Sequence, residues 1–125
     1  MKLELFALCQ GAFNNNGQLT IVSTLDSFKV RSFPARISFG LALKFYIRPD
    51  EYGERLMSIS ILNDKGISII PPIPAKFQIE RLAKASHIAL AINLQNVLFE
   101  APGEYCVHLE LDGSRFDHFA FEVIE

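Results

Sequence analysis

Residues 39–47 are Phe-Gly-Leu-Ala-Leu-Lys-Phe-Tyr-Ile, and every odd position in this stretch has a large apolar side chain. Side chains of a β-strand point alternately to its two faces, so a period of two is typical of a strand with one buried face. The same alternation recurs at 57–61, 88–95, 105–112 and 119–123. A helical period fits these segments less well, and the sequence therefore predicts an all-β protein.

Turn-forming residues separate the predicted strands. Asn, Asp and Gly adopt left-handed backbone conformations readily, and they cluster at 14–17, 63–66 and 112–113. The first cluster divides a predicted strand at 3–9 from a predicted strand at 18–28. The other two clusters are typical of β-hairpins.

The proline-rich segment and the shortage of helix signals complete the fold prediction. Pro71, Pro72 and Pro74 cannot donate to a β-ladder, so they indicate a sheet edge or a crossover. Only residues 80–86 have the composition for a helical turn. About eight or nine short strands without covering helices predict a two-layer antiparallel β-sandwich that forms one domain over 1–125.

The segment Ala101-Pro102-Gly103-Glu104-Tyr105 has the pattern of a tyrosine corner. In this motif a tyrosine at the start of a late strand turns back to hydrogen-bond the backbone a few residues upstream, and it is typical of immunoglobulin-like sandwiches. We therefore expect Tyr105 to be buried and its hydroxyl to donate to an upstream carbonyl. Antibody domains have a disulfide cysteine two residues later, where this chain has Val107, so the sequence predicts an immunoglobulin-like fold without a disulfide.

The register of the last predicted hairpin follows from its apolar pattern. A two-residue loop at Asp112-Gly113 would place His118 beside the core and turn Phe119 outward, so we expect an odd-numbered loop. A loop of 112–114 would pair His108 with His118, whereas a loop of 111–113 would pair Cys106 with His118. Either register brings two metal-ligating side chains together, but zinc needs three or four protein ligands, and no metal site is predicted.

The chain also resembles an uncharacterised family of small bacterial proteins with a domain of unknown function and an immunoglobulin-like β-sandwich. The resemblance is to six segments in order along the chain: Glu4-Leu5-Phe6-Ala7-Leu8-Cys9, Asn16-Gly17-Gln18-Leu19-Thr20-Ile21-Val22-Ser23-Thr24-Leu25-Asp26, Phe33-Pro34-Ala35, Ile69-Ile70-Pro71-Pro72, Asn93-Leu94-Gln95-Asn96 and Pro102-Gly103-Glu104-Tyr105. It implies no catalytic, cofactor-binding or metal-binding residue. Ser23 stands where the resemblance implies glycine, which puts the local backbone geometry in question.

Composition and charge argue against several classes of partner. The chain has 125 residues with 12 Lys and Arg against 14 Asp and Glu, a net charge of −2, and it has no basic run. We therefore expect no nucleic-acid partner and no membrane partner. The start, 1–9, is too short and too polar at Glu4 for a signal peptide, and with only Cys9 and Cys106 we expect a cytoplasmic protein with reduced thiols.

A search for catalytic chemistry finds no supporting motif. The sequence contains no phosphate-binding glycine loop, no G-x-S-x-G elbow and no His-Glu-x-x-His. The acids at 50–54 lack the ligand pattern of a calcium loop, and Thr20, Thr24 and Asp26 fit an outward strand face as well as a polar site. The sequence therefore predicts neither an enzyme nor a cofactor.

Surplus apolar residues on both faces of some strands are the main functional signal. Residues 3–8 are apolar on both faces, and Leu56 and Leu62 lie opposite the predicted core face of their strand. Either loops at 71–75 or 80–86 cover the surplus face, or another chain covers it. We expect a non-catalytic interaction or accessory module that contacts a partner or a second copy through its first strand or an edge strand. The alternatives are a sandwich that holds a small apolar molecule and, less favoured, an enzyme or a metal-binding protein.

Overall fold

The computed structural model describes residues 1–81 and 83–125, and these form nine β-strands in two sheets and no helix. The all-β prediction is confirmed, and both cysteines are free, as expected. Within the described ranges no helix is long and apolar enough to cross a membrane. The strands are β1 (Lys2–Asn15), β2 (Gln18–Thr24), β3 (Ser27–Lys29), β4 (Ala35–Ile47), β5 (Gly53–Leu62), β6 (Ile73–Ile79), β7 (Ser86–Phe99), β8 (Gly103–Leu111) and β9 (Ser114–Ile124).

The first sheet has four strands in the order β2-β1-β4-β7. β4 is central, and the alternating residues of its apolar face are all buried, as the sequence predicted: Phe39, Leu41, Leu43, Phe45 and Ile47. β1 lies antiparallel beside it, with Ala7 opposite Ala42 and Cys9 opposite Gly40. β1 is thus an inner strand with a neighbour on each side.

The second sheet has five strands in the order β3-β9-β8-β5-β6. Its buried residues again alternate along the strands: Met57, Ile59, Ile61, Tyr105, Val107, Leu109, Phe121 and Val123. β3 pairs with β9 in parallel, so the expectation of purely antiparallel pairing is wrong at this edge. No hairpin joins these two strands, and backbone hydrogen bonds from Glu122 to Asp26 and from Val30 to Ile124 hold β3 in place.

The first hairpin is longer than the sequence predicted. Asn16 and Gly17 have φ angles of 52° and 83°, which makes the connection a two-residue turn. Residues up to Asn15 therefore pair with β2, and β1 does not end near residue 9. The predicted strand at 18–28 is divided into β2 and β3, and Ser23 near the division has a left-handed φ of 50°.

The prediction of an odd-numbered loop in the last hairpin is wrong. The loop is the two-residue turn Asp112-Gly113, with φ angles of 51° and 81°, and Leu111 lies opposite Ser114. The register then shifts, because Phe116 is an extra residue between the partners of Leu109 and Glu110. This β-bulge reverses the parity of β9, which the sequence argument assigned to the loop.

Between the bulge and the end of β9, the pairing is the one that a loop of 112–114 would give. Val107 lies opposite Phe119, and His108 lies opposite His118. The second alternative is wrong, since Cys106 lies opposite Ala120.

The proline-rich segment leads into an edge strand. Pro74 lies in β6, at the end of the second sheet, which confirms the edge prediction for this segment. The sequence allowed a helical turn at 80–86. The described residues of this segment are not helical, and Leu82 lies outside the described residues.

Candidate functional site

β2 is an edge strand of the first sheet and lacks the usual protection against pairing with another strand. It consists of Gln18, Leu19, Thr20, Ile21, Val22, Ser23 and Thr24, and none of these side chains is charged. Natural edge strands are commonly protected by proline, charge or short length, and β6 has Pro74 and Lys76 while β3 has three residues. β2 has no such protection against pairing with another strand.

The pairing of β2 shows which backbone groups are available. A two-residue turn is closed by a hydrogen-bonded pair, and hydrogen-bonded and non-hydrogen-bonded pairs then alternate along an antiparallel ladder. Gln18 is the closing residue, so Leu19 and Ile21 fall at the non-hydrogen-bonded positions. Their N–H and C=O groups point away from β1, towards the open side of the edge.

Two exposed apolar side chains flank this edge. Phe13 is 58% exposed and Val22 is 43% exposed. Phe13 pairs with Thr20 and Gly11 pairs with Val22, so the three side chains Phe13, Thr20 and Val22 share one face of the β1–β2 ladder. We call these three residues the hairpin patch. The sequence did not predict this patch, because the first strand was expected to end at residue 9, before Phe13.

The surplus apolar face of β1 is covered from within the same sheet. Cys9, Ala12 and Ala42 are buried there, and Leu5, Leu19, Ile21 and Ala91 pack against them. None of the described residues of the predicted covers, the loops at 71–75 and 80–86, belongs to this set, and Leu82 lies outside the described residues. β1 is an inner strand of this sheet, so another strand could pair with the sheet only at β2 or β7.

Asparagine side chains bring β1 and β7 together across this face. The amide of Asn93 accepts a hydrogen bond from Ala12 N at 3.1 Å and donates one to Ala12 O at 2.8 Å. Asn14 donates from Nδ2 to the carbonyl of Ala89 at 2.8 Å. The other edge of this sheet, β7, thus has part of its backbone occupied, and Asn96 interrupts it with a φ of 52°.

A second concave feature lies between the segments 63–69 and 98–105. It is a cleft of about 570 Å³, which we call the tyrosine cleft. Its lining combines apolar, carboxylate and backbone groups, and none of the chain's phenylalanines contributes to it. The lining residues are Asn63, Asp64, Lys65, Ile67, Ser68, Ile69, Leu98, Glu100, Ala101, Pro102, Gly103, Glu104 and Tyr105.

Asn63 shapes one wall of the tyrosine cleft. Its Oδ1 accepts hydrogen bonds from the backbone N–H groups of Lys65 and Ile67, each at 3.0 Å, and its own N–H donates to Ile67 O at 2.9 Å. Gly66 has a φ of 75°, which glycine adopts without strain. This turn leaves the Ile67 side chain 60% exposed on the wall.

Tyr105 forms the buried end of the cleft and confirms the tyrosine-corner prediction. The residue is 5% exposed, and its hydroxyl donates to Ala101 O at 2.5 Å. Burial raises the pKa of Tyr105; the bond to Ala101 lowers it in part, and the negative charges of Asp64 and Glu100 raise it further.

The histidines and acids singled out in the sequence have local partners. His118 lies 2.5 Å from Nη2 of Arg115 through Nδ1, and His108 lies 3.8 Å from Glu110. Glu51 accepts a hydrogen bond from the backbone of Arg48. Within residues 1–81 and 83–125, no three His, Cys, Asp or Glu side chains converge as metal ligands.

Comparisons with known proteins identify a family and a fold. The model of a family of unknown function, DUF6941, matches residues 4–124. A comparison with curated proteins gave no match.

Two solved structures are similar to the whole chain but at low identity. The alkylpurine DNA glycosylase AlkC from Pseudomonas fluorescens, bound to DNA containing an abasic site analog, is 12% identical with a TM-score of 0.54 over 99% of this chain and 30% of its own. The β-glucosidase from Listeria innocua in complex with isofagomine is 13% identical with a TM-score of 0.54 over 99% of this chain and 16% of its own. The chain thus spans less than a third of either protein, and the likeness concerns the fold alone.

Proposed function

We propose that this chain, which belongs to the DUF6941 family of unknown function, is a non-catalytic binding module that takes an extended segment of a partner protein as an added strand on β2. The observation that carries the proposal is the open, uncharged edge of β2 beside the exposed hairpin patch. The proposal includes a cytoplasmic location and an immunoglobulin-like sandwich. The tyrosine corner and the two sheets support that fold.

The chemistry of the edge determines the kind of partner. The N–H and C=O groups of Leu19 and Ile21 need a strand that offers complementary groups at the same spacing. The hairpin patch lies on one face of the ladder, so every second side chain of the added strand would lie beside Thr20 and Val22, with Phe13 one strand further in. The expected partner segment is therefore extended and uncharged, with apolar residues at alternate positions.

Other functions have less support from the surface. The AlkC structure contains DNA, but this chain has a net charge of −2 and no basic run for phosphate contacts. The predicted alternative of a small apolar ligand would need a cavity lined by apolar side chains, whereas the tyrosine cleft has three carboxylates in its lining. Strand addition uses the backbone groups of Leu19 and Ile21, which point away from β1.

Selection from a library of random twelve-residue peptides, displayed on phage, tests the proposal. Wild-type protein is the bait, and binding of the enriched peptides is measured by fluorescence anisotropy. We expect Val22→Lys to weaken binding at least tenfold, because a lysine on an edge strand obstructs strand addition. Val22→Thr, which keeps a β-branched side chain of similar size, serves as the matched control and should change binding less than threefold.

Amide hydrogen exchange locates the bound peptide. Leu19 and Ile21 should gain protection on binding, whereas Thr20 and Val22 already face β1 and should change little. Protection gained elsewhere, or enriched peptides that bind Val22→Lys as tightly as wild type, would contradict the proposal.

Sedimentation velocity of the peptide-free protein tests the competing occupant. A dimer that dissociates in Val22→Lys would identify a second copy of the chain, rather than a different protein, as the strand that β2 binds. A monomer supports the proposal as stated.

A further inference from the structure

We propose that the tyrosine cleft is a second binding site, for an extended peptide segment with an arginine or lysine next to an apolar residue. The site is independent of β2 and of the strand addition proposed above. Both of its walls and its buried end belong to residues 63–69 and 98–105, which lie within one compact unit of the chain.

The charge around the cleft is unbalanced. The lining residues include the acidic Asp64, Glu100 and Glu104 and one basic residue, Lys65. Some carboxylates elsewhere in the chain have basic neighbours, such as Lys76 for Glu54 at 3.2 Å and Arg55 for Asp112 at 2.9 Å. Among the described residues, no ion pair joins the three cleft carboxylates to a basic side chain. A cationic ligand would supply the missing charge.

The walls select more than charge. Ile67 is 60% exposed, and Ile69, Leu98 and Pro102 add apolar surface to the lining. A simple inorganic cation could not use this surface, whereas an aliphatic side chain next to an arginine or lysine would bury it. Removing that surface from water favours an organic ligand over a hydrated ion.

Hydrogen bonds and a ring contact hold the residues of the tyrosine cleft in place. Tyr105 is locked by its bond to Ala101 at 2.5 Å and by its edge-on contact with Phe99, whose ring centroid lies 4.9 Å away. Asn63 fixes the opposite wall with two hydrogen bonds of 3.0 Å. A preformed site loses less conformational entropy when a ligand binds than a mobile loop does.

Calorimetric titration with two small probes tests the proposal. The first probe is N-acetyl-leucyl-arginine amide, and the second is its citrulline counterpart, which has nearly the same shape but no charge. We expect the arginine probe to bind at low ionic strength with at least tenfold higher affinity than the citrulline probe. Raising the salt concentration should weaken it, since exposed charges are screened.

Matched variants separate the cleft from general surface charge. Glu100→Gln removes one carboxylate of the lining and should weaken the arginine probe at least threefold, whereas Glu54→Gln removes a carboxylate outside the lining and should leave it unchanged. Ile67→Ser should weaken both probes. Chemical-shift changes in a two-dimensional amide spectrum should concentrate at 63–69 and 98–105.

Three results would overturn the proposal: no binding of the arginine probe at millimolar concentration, equal affinity for both probes, or equal effects of Glu100→Gln and Glu54→Gln. Val22→Lys should leave probe binding unchanged. Failure at the cleft and failure at β2 are therefore distinguishable.

Discussion

The hydroxyl of Tyr105 donates to Ala101 O, while the ring meets Phe99 edge-on at 4.9 Å and stacks on Phe121 at 5.8 Å. One side chain thus ties the turn before β8 to the rings of Phe99 on β7 and Phe121 on β9. The two roles are separable, because phenylalanine keeps the ring and loses only the donor.

Tyr105→Phe should lower the free energy of unfolding by about 1 kcal/mol, because the Ala101 carbonyl loses its hydrogen bond. Urea denaturation measures the change. Tyr52→Phe, at a position that is 51% exposed, should cost less than about 0.5 kcal/mol. Equal costs for the two substitutions would show that the corner hydrogen bond contributes nothing to stability.

Ser23 occupies a backbone conformation that suits glycine. Its φ is 50°, and its side chain is exposed, so little packing compensates for the strain of a Cβ atom in the left-handed region. The resemblance described above implied glycine at this position, and the structure supplies the physical reason.

Ser23→Gly should therefore stabilise the protein by about 0.5–1 kcal/mol, since the relief of strain exceeds the added entropy of the unfolded chain. The matched control is Ser114→Gly at an exposed strand position, which should destabilise by about 0.5–1 kcal/mol. Thermal unfolding of both variants gives the two signs. A loss of stability in Ser23→Gly would refute this account of the β2 terminus.

The close approach of three strands in the first sheet depends on Gly40. A Cβ atom at this position would lie 2.8 Å from Asn93 Oδ1, 3.0 Å from Gly11 Cα and 3.1 Å from Ala12 N. The small residue lets β1 and β7 meet over β4, where Asn93 bonds both backbone groups of Ala12. This geometry buries Cys9 and Ala12 of β1 with Ala42 of β4, and Ala91 of β7 packs against them.

Gly40→Ala should cost about 1–3 kcal/mol, because the new methyl group overpacks the site. Gly11→Ala is the control, since its Cβ would have no neighbour closer than 3.8 Å. In an Asn93→Ala background, which has already lost the two hydrogen bonds to Ala12, Gly40→Ala should still cost part of this amount, because the two backbone contacts remain. No cost of Gly40→Ala in that background would mean that the Asn93 side chain alone requires the glycine.

The turn between β8 and β9 is held to β5 by a carboxylate. Asp112 accepts hydrogen bonds from Leu56 N at 3.0 Å and from Arg55 at 2.9 Å. The bond from the Leu56 backbone, followed by the one from Arg55, lowers the pKa of Asp112. A lowered pKa in the folded state means that the charged form stabilises the fold above the unfolded pKa of about 3.9.

Asp112→Asn keeps the left-handed turn and a side-chain oxygen for Leu56 but removes the charge. It should cost less than about 1 kcal/mol at pH 7, since the Asp112 side chain is 41% exposed. The difference from wild type should shrink as the pH falls below about 4 and through the folded pKa, because the wild-type carboxylate is then protonated. Urea titrations at pH 7 and pH 3 measure it, and a difference that grows in acid would contradict the assignment.

At the scale of the whole molecule, the two cysteine thiols differ in their solvent exposure. Cys9 is 0% exposed, and Cys106 is partly exposed on β8. Burial raises the pKa of each thiol, so both react slowly as native thiols at neutral pH.

A maleimide reagent at pH 7 should therefore label Cys106 slowly in the native protein and Cys9 only when the protein unfolds. Mass spectrometry along a urea gradient follows the two events. In Cys106→Ser the native protein should take up no label, and labelling of Cys9, the remaining cysteine, should coincide with the unfolding transition. Rapid native labelling of Cys9 would show that the face formed by Cys9, Ala12 and Ala42 opens readily.

Local patterns in the sequence determined the strands and most of the turns. Alternation at 39–47 and 105–112 identified buried faces because side-chain direction in a strand depends only on position along the chain. Asn16-Gly17 and Asp112-Gly113 identified turns because few residue pairs adopt two successive positive φ angles. Tyr105 was recognised from its immediate neighbours, and its bond to Ala101 spans four residues.

The pairing of distant strands depended on tertiary structure. The extra residue at Phe116, the parallel pairing of β3 with β9, and the approach of Asn93 to Ala12 each involve a choice among partners far apart in the chain or between registers. Local sequence does not distinguish such choices, since a bulge and an odd loop restore the same parity. The open edge of β2 and the tyrosine cleft also depend on tertiary structure. A strand is an edge strand, and two segments form the walls of a cleft, only because of where the rest of the chain packs.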